Sequence, residues 1–569
     1  RSLILMALPR LLLLLLLISP ATLSSLSDSR SCANTDRELR DRGLGGTAGV
    51  RAPISGEHLR ICPQEYTCCT SDTEIRLSEE SMSDLLRIVN ESLSFPLGAL
   101  TSGKRNFHKF FLALLDASEH SLNSMFVLSY GRLYSQNAAL FSTLFSELRA
   151  YYMGGGASRV ADALSEFWAG LLERTLRLLL PQYQLSADYM ECAAHKAEEL
   201  RPFGDSPRRL RLQITRALGA ARTLVEGLGT GSDIVSRAAK AALPPDCLRA
   251  VMRMWYCPLC RGHANLRPCH GLCLNVLKGC LAHQADMDED WNSLIDGLQE
   301  VAERLAGSFN IELAMESVAV KISEAIMSLQ EESVQLTAQI FQTCGTPPPT
   351  RSRRSPGEDP RPRFRVYSND EKPTSADGTN IDRLVSEIVG KLRPLRSLWK
   401  LLPLSLCSDN RVSAGLSNQE KCWNGQNRGR YLPQVTGDGL VNQINNPEVE
   451  LQISPANPRA RSLGLQLRVA RSKLRAAYSG QDSDTQDAYD DGSGGSGGGD
   501  LATDKPVTRT VAGGTQLKDR TGKNKKQNSR GAGRGGKRGG SGFNSVGGPI
   551  TPSGLALAVT LLLGALIRA

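Results

Sequence analysis

Apolar side chains return every three or four residues through most of the chain. Phe107, Phe110, Phe111, Leu114, Leu115, Leu122, Met125 and Phe126 form one such stripe, and that period marks a helix with one buried face. It recurs in Leu164, Phe167, Trp168, Leu171, Leu172, Leu176 and Leu179, and in Leu210, Ile214, Leu218, Ala221, Leu224, Val225 and Leu228. Two more stripes follow in Leu294, Ile295, Leu298, Val301, Ala302 and Leu305, and in Ile322, Ile326, Leu329, Leu336 and Ile340. Two-residue alternation is scarce, which argues against β-sandwiches and parallel sheets and predicts an all-α body. The aromatics in these stripes are read as core.

Two segments break the helical period. The run GTPPPTRSRRSPGEDPRPR at 345–363 is too rich in proline for a helix interior and is expected to be an exposed loop. Within it Arg351, Ser352, Arg353 and Arg354 make the R-x-R-R pattern that a furin-type convertase of the secretory pathway cuts, here after Arg354. From Ser479 onward Gly, Ser and Asp dominate and the apolar period vanishes, the composition of a stalk rather than a domain.

The two ends bear on compartment. Leu11–Ile18 is an apolar run preceded by Arg10 and followed by Pro20, Ala21 and Ser24, the order of a secretory signal peptide, with cleavage expected near Ser24. Leu555–Ile567 is a second apolar run behind a polar spacer and a cluster of small residues. That arrangement predicts a glycosylphosphatidylinositol (GPI) signal, with the lipid on Asn544 or Ser545 and Gly540 as the further alternative. The expected divisions are a signal peptide at 1–24, a helical body at 25–478, a stalk at 479–545 and a removed propeptide at 546–569.

Composition narrows the classes. Of 569 residues, 40% are hydrophobic and 22% charged, which fits neither a wholly disordered chain nor a multispan membrane protein. The net charge is +10, and residues 501–543 hold eleven cations against two acids, so nearly all of the excess sits there. Their SRGAGRGGKRGG stretch is like RNA-binding Gly/Arg segments. A secreted chain meets little RNA, so no nucleic-acid partner is expected and the cations are read as solvated or facing another polyanion. Among 14 cysteines, Cys257 and Cys260 have C-x-x-C spacing with His263, His270 and His283 nearby, which raises a zinc site. An even count in an oxidising compartment favours disulfides instead, and spacing alone does not give the pairing. No metal, cofactor or catalytic residue is expected: the seven His are scattered, and no triad or phosphate-cradling glycine loop occurs.

The stalk carries the candidate chemistry. In DAYDDGSGGSGGGD, Ser493 and Ser496 each precede Gly, with Asp490 and Asp491 before them and Asp500 behind. A glycosyltransferase needs a hydroxyl it can surround, which glycine neighbours expose, while the carboxylates offer a charged handle. The alternative is a plain flexible linker. Ser479, before Gly480 and near Asp482 and Asp484, is a weaker third candidate. Asn90 opens an Asn-Glu-Ser sequon, a mark of exposed surface in a secreted chain.

The order of signal peptide, Cys-rich helical body, basic loop, acidic Ser-Gly stalk and lipid signal resembles the glypican family. Local strings are similar too: CPQEYTCCT at 62–70, LYSQNAALF at 133–141, RPFGDSPRRLRL at 201–212, LNVLKGCLA at 274–282 and RGRYLPQVTGDGLVNQINNPEVE at 428–450. The basic Gly/Arg tail departs from the family pattern. The resemblance implies an elongated multi-helix core stapled by seven disulfides: Cys32–Cys68, Cys62–Cys257, Cys69–Cys260, Cys192–Cys344, Cys247–Cys280, Cys269–Cys422 and Cys273–Cys407. It further implies a GPI-anchored heparan sulfate proteoglycan on the outer face of the plasma membrane, also shed. Its sulfated chains would bind heparin-binding growth factors and morphogens of the Wnt, fibroblast growth factor, bone morphogenetic protein and Hedgehog classes, as co-receptor beside their receptors. The competing expectation makes the helical core itself the protein-binding module.

Overall fold

The structure, a computed structural model, describes residues 31–44, 52–154, 159–240, 243–349, 381–450 and 458–480. The chain divides into the units Arg1–Gly495 and Ser496–Ala569, and every described residue belongs to the first. Its helices are α1 (Ala33–Asp41), α2 (Ser71–Tyr130), α3 (Arg132–Tyr152), α4 (Val160–Leu179), α5 (Ala187–Leu200), α6 (Ser206–Ala239), α7 (Pro245–Trp255), α8 (Cys257–Cys260) and α9 (His270–Cys280). There follow α10 (Ala282–Asp286), α11 (Asp288–Ala306), α12 (Ile311–Glu331), α13 (Ser333–Cys344), α14 (Ile381–Leu392), α15 (Leu398–Ser408) and α16 (Pro458–Ser479). Among the described residues the only sheet pairs β1 (Ile54–Ser55) with β2 (Tyr66–Thr67), antiparallel, Ile54 opposite Thr67. The all-α class expected from the period is therefore the class observed.

Helix α2 runs for 60 residues, about 90 Å at 1.5 Å per residue. It starts where Thr70 caps it, the hydroxyl oxygen accepting the N–H of Thr73 at 3.3 Å, with Asp72 and Glu74 at the positive end of the helix dipole. It stops at Gly131, whose φ of +52° turns the chain into α3. Pro96 lies inside it and has no N–H for the carbonyl of Ser92.

Helix α6 packs against α2, α4, α11, α12 and α16. Small residues make this closeness possible. A Cβ at Gly227 would stand 2.8 Å from Leu298 Cδ2, and one at Gly231 would stand 3.3 Å from Leu100 Cδ2. The five apolar stripes feed one contiguous core that includes Phe107, Phe111, Leu218, Leu224, Leu298 and Ile322. Phe110, Leu114, Leu179 and Val225 sit at its margin, half-buried. The stripe read from Ile322 to Ile340 is not one helix, since the chain breaks at Glu332 between α12 and α13.

The segment after α15 has little regular structure and is held by side chains. Asn275, fully buried on α9, donates to the Tyr431 hydroxyl at 2.8 Å and the Gln434 carbonyl at 2.9 Å, and accepts from Thr436 N–H at 2.9 Å. Asn446 donates to the Asn275 carbonyl at 2.8 Å. A fully satisfied polar cluster of this kind orders a loop that helix periodicity does not reach.

Candidate glycan-bearing region and the body beneath it

All fourteen cysteines are paired, and the seven bridges are those implied by the resemblance. Cys257 and Cys260 open and close α8 and bind Cys62 and Cys69, bringing the segment before α2 onto the middle of the chain. Arg261, next to α8, is 3% exposed and reinforces that junction. Its guanidinium lies 4.1 Å from the centroid of the Tyr66 ring, donates to the Tyr66 carbonyl and to Asn427 Oδ1 at 3.0 Å each, and pairs with Glu65. Both sulfurs of the C-x-x-C pair are thus consumed in disulfides. His270 Nδ1 instead meets the carbonyl of Cys407 at 3.1 Å, and burial, Arg428 and Arg261 together push the His263 pKa down. Among the described residues no group of three or more His, Cys, Asp or Glu is placed to hold a metal.

Cys269–Cys422 and Cys273–Cys407 join residues on either side of 350–380, spanning 153 and 134 residues. Arg354 and most of the basic loop lie outside the described residues. The loop's first residues are placed: Gln184 N–H donates to the Pro348 carbonyl at 2.8 Å, and Tyr183 bridges Pro349.

Ser479 is the last residue of α16, and its hydroxyl donates to the Arg475 carbonyl at 3.0 Å. Its hydroxyl is therefore engaged in a helical turn rather than left free for a glycosyltransferase to surround. Gly480, at φ +73°, follows the helix end, where the apolar period also stops. Ser493, Ser496, Asn544 and Ser545 lie outside the described residues. Asn90 is exposed on α2, one turn before Ser94 and close to the backbone gap left by Pro96.

Among the clefts between helices in the described residues are two that the sequence reading did not anticipate. One, of about 830 Å³, lies among α4, α5 and α6, with Leu164, Trp168, Leu172 and Phe203 inside and Arg201, Arg208 and Arg211 among its lining residues. The other, of about 360 Å³, is lined by residues of α2, α3, α4, α12 and α13, including Phe126, Tyr130, Leu140, Phe141, Leu171 and Leu178. Both volumes fall in the range of small-ligand sites. The available signal was exposure out of phase with the stripes, as at Leu178 and Leu212. No helix among the described residues is long and apolar enough to cross a membrane.

Helices braced by seven cystines, with no free cysteine, form the kind of body that suits an oxidising compartment. Comparison with known proteins gives the family. The family model described as Glypican matches residues 11–563. Human glypican-2 is 46% identical over 485 residues, covering 84% of this chain and 83% of that protein. Human glypican-1 is 44% identical over 466 residues, covering 82% of each. Among solved structures, the full-length glypican-1 core protein matches with a TM-score of 0.71 at 42% identity, covering 80% of this chain and all of that one. The Dally-like protein, in complex with O-palmitoleoyl serine, matches with a TM-score of 0.61 at 32% identity over 80% of this chain and all of that one. The chain belongs to the glypican family. Its relatives are cell-surface heparan sulfate proteoglycans, non-enzymatic by family.

Proposed function

We propose that this chain is a GPI-anchored co-receptor that bears heparan sulfate on Ser493 and Ser496 and captures growth factors and morphogens through those chains. The observation that carries the reading is a succession along the chain: α16 ends at Ser479, and the Asp-flanked Ser-Gly pair begins fourteen residues later. Ser479 is the weaker acceptor because its hydroxyl is held in a helical turn. The signal peptide ends near Ser24, the convertase cuts after Arg354, and the lipid sits on Asn544 or Ser545 after removal of 546–569. Sulfated chains bind basic ligands with counterion release, so capture weakens steeply with salt. The lipid confines that capture to the membrane surface, raising effective concentration beside receptors of the Wnt, fibroblast growth factor, bone morphogenetic protein and Hedgehog ligand classes.

The experiment is intact mass before and after heparinase, and cell-surface release by phosphatidylinositol-specific phospholipase C. Wild type should collapse from a broad high-mass smear to a discrete species on heparinase treatment. The Ser493→Ala, Ser496→Ala double variant should be discrete from the outset. A smear persisting in that variant refutes the assignment.

A second reading, the body as a protein-binding module, is favoured by the two clefts and by the acylated serine bound to the Dally-like protein. A lipid-modified secreted ligand is the partner such clefts suit. Capture that survives heparinase belongs to this route.

A further inference from the structure

A further cleft, of about 510 Å³, opens where the end of α6, the start of α7, α10 and the first turns of α16 meet. Arg237 and Lys240 from the end of α6 and Arg459 from the start of α16 line it, as does His283 of α10, and among the described residues no Asp or Glu does. The 830 Å³ cleft differs, since Glu191 and Asp205 stand beside its arginines. Arg237 is held in place: its Nε donates to the Asp233 carbonyl at 3.4 Å and its Nη2 to Gln466 Oε1. The Asp233 carboxylate, 3.7 Å away, is 74% exposed and offsets little of that charge. The first turn of α16 holds no acid, so the positive end of its dipole adds to the cationic rim.

The observation that points to a ligand is an amide. Gln284 on α10 is 8% exposed and lines the cleft, yet its side chain has no hydrogen-bond partner among the described residues. Nor is that amide sealed in the core, as the unpartnered indole nitrogens of Trp168 and Trp399 are, so it opens on the cleft. A buried amide without a partner is costly, and a ligand that reaches it removes the penalty. Leu243, Pro244, Met287 and Leu463 supply apolar walls. Cys247–Cys280 ties the first turn of α7 to the end of α9, which fixes the shape of the cleft before a ligand arrives.

A bare oxyanion would use the rim and leave the amide and the walls idle, and an acyl chain would use the walls and leave the cations idle. A sulfated sugar uses all three. Its sulfates meet Arg237 and Lys240, a hydroxyl or N-acyl group pairs with the Gln284 amide, and the C–H face of the ring lies on the apolar walls. We propose that this cleft binds a sulfated sugar unit of a glycosaminoglycan chain. A chain held there lies against the body, and the sulfates it commits are withdrawn from ligand capture. The site belongs to the folded body and is separate from the serines proposed above as attachment points, so the inference stands whether or not this chain bears sugars of its own.

The test uses the full chain, treated with heparinase and freed of the enzyme, so that the outcome does not turn on which serines bear sugars. A heparin hexasaccharide is added at low ionic strength, and acetylation of each lysine is read by peptide mass spectrometry, which separates the cleft from the basic tail at 501–543. Lys240 should be protected at a lower hexasaccharide concentration than Lys109 and Lys421, exposed lysines of the body outside the cleft. Arg237→Gln and, separately, Gln284→Leu should raise the concentration that half-protects Lys240 roughly three- to tenfold, the scale of one lost hydrogen bond, and leave the tail lysines unchanged. Gln284→Leu keeps the volume and removes an unpartnered amide, so it should not lower the unfolding temperature. Desulfated hexasaccharide should protect nothing, and added salt should weaken protection. Protection of Lys240 no better than that of Lys109 and Lys421 overturns the proposal, because the sugar would then be coating cations at large. Unchanged protection in either variant, or equal protection by the desulfated sugar, overturns it too. So does stronger protection by inositol hexakisphosphate at the same concentration, which would make this a phosphate site.

Discussion

Glu74 offers a sharp test of how the segment before α2 is held. Its carboxylate is 3% exposed and accepts three backbone N–H groups, from Arg60 at 2.8 Å, Ile61 at 2.9 Å and Cys62 at 2.8 Å. Leucine at this position keeps the volume and removes every acceptor. Arg60 is exposed, so water replaces its lost bond, whereas Ile61 is half-buried and Cys62 buried, so two donors are stranded. At about 1–3 kcal/mol for each stranded donor, Glu74→Leu should cost about 2–6 kcal/mol. Glu74→Gln keeps an oxygen facing Ile61 and Cys62 but turns its NH2 toward the exposed Arg60 N–H, losing that bond and the charge assistance, about 1–2 kcal/mol. Thermal unfolding with the bridges intact should order the proteins as wild type, Gln, Leu, with the Leu variant several degrees lower. Timed thiol labelling under mild reductant should find Cys62–Cys257 opening earliest in the Leu variant. Equal loss for Gln and Leu, or loss below 1 kcal/mol for Leu, would refute the view that the carboxylate organises this loop.

Three further outcomes are expected. Burial alone would raise the pKa of Asp84, but the Tyr256 hydroxyl at 2.6 Å and Arg87 at 2.9 Å outweigh it and hold the carboxyl below its ordinary 3.8. The stability this contributes is full above that value and disappears as pH falls through the lower folded value, so the stability gap between wild type and Asp84→Asn should be constant near neutrality and shrink in acid. A chain cut within 350–380 should run as one species without reductant and as two with it, because Cys269–Cys422 and Cys273–Cys407 span the cut. Replacing either pair with serine should leave the halves joined, and replacing both should part them on a non-reducing denaturing gel. Gly279→Ala places a Cβ 2.8 Å from Val449 Cβ, under the loop that Asn446 anchors; calorimetry should show about 1–3 kcal/mol of lost stability from overpacking.

Glypican likeness and helical class were legible from local strings and from a period that any core-facing helix must keep. The apolar period and the last described helix also end together at Ser479. The proposed attachment serines are a local pattern too, so for Ser493 and Ser496 the linear chain carries the whole argument. What local pattern could not yield depends on residues far apart in sequence. Ile322 to Ile340 keeps its period across the break at Glu332, because a stripe records which side chains face inward and not whether the backbone between them is continuous. Cysteine spacing admits a zinc site at Cys257 and Cys260, and their sulfurs are taken by Cys62 and Cys69 from 195 and 191 residues away. The 830 Å³ cleft exists because α4, α5 and α6 do not close on one another. Arg216 and Arg304 come to stand beside the rings of Phe309 and Tyr478 only because α6 and α11 meet α16 there. Periodicity is a property of one element and survives in the linear chain, whereas a pairing, a void or an unmatched charge is a relation between elements and arises only when they pack.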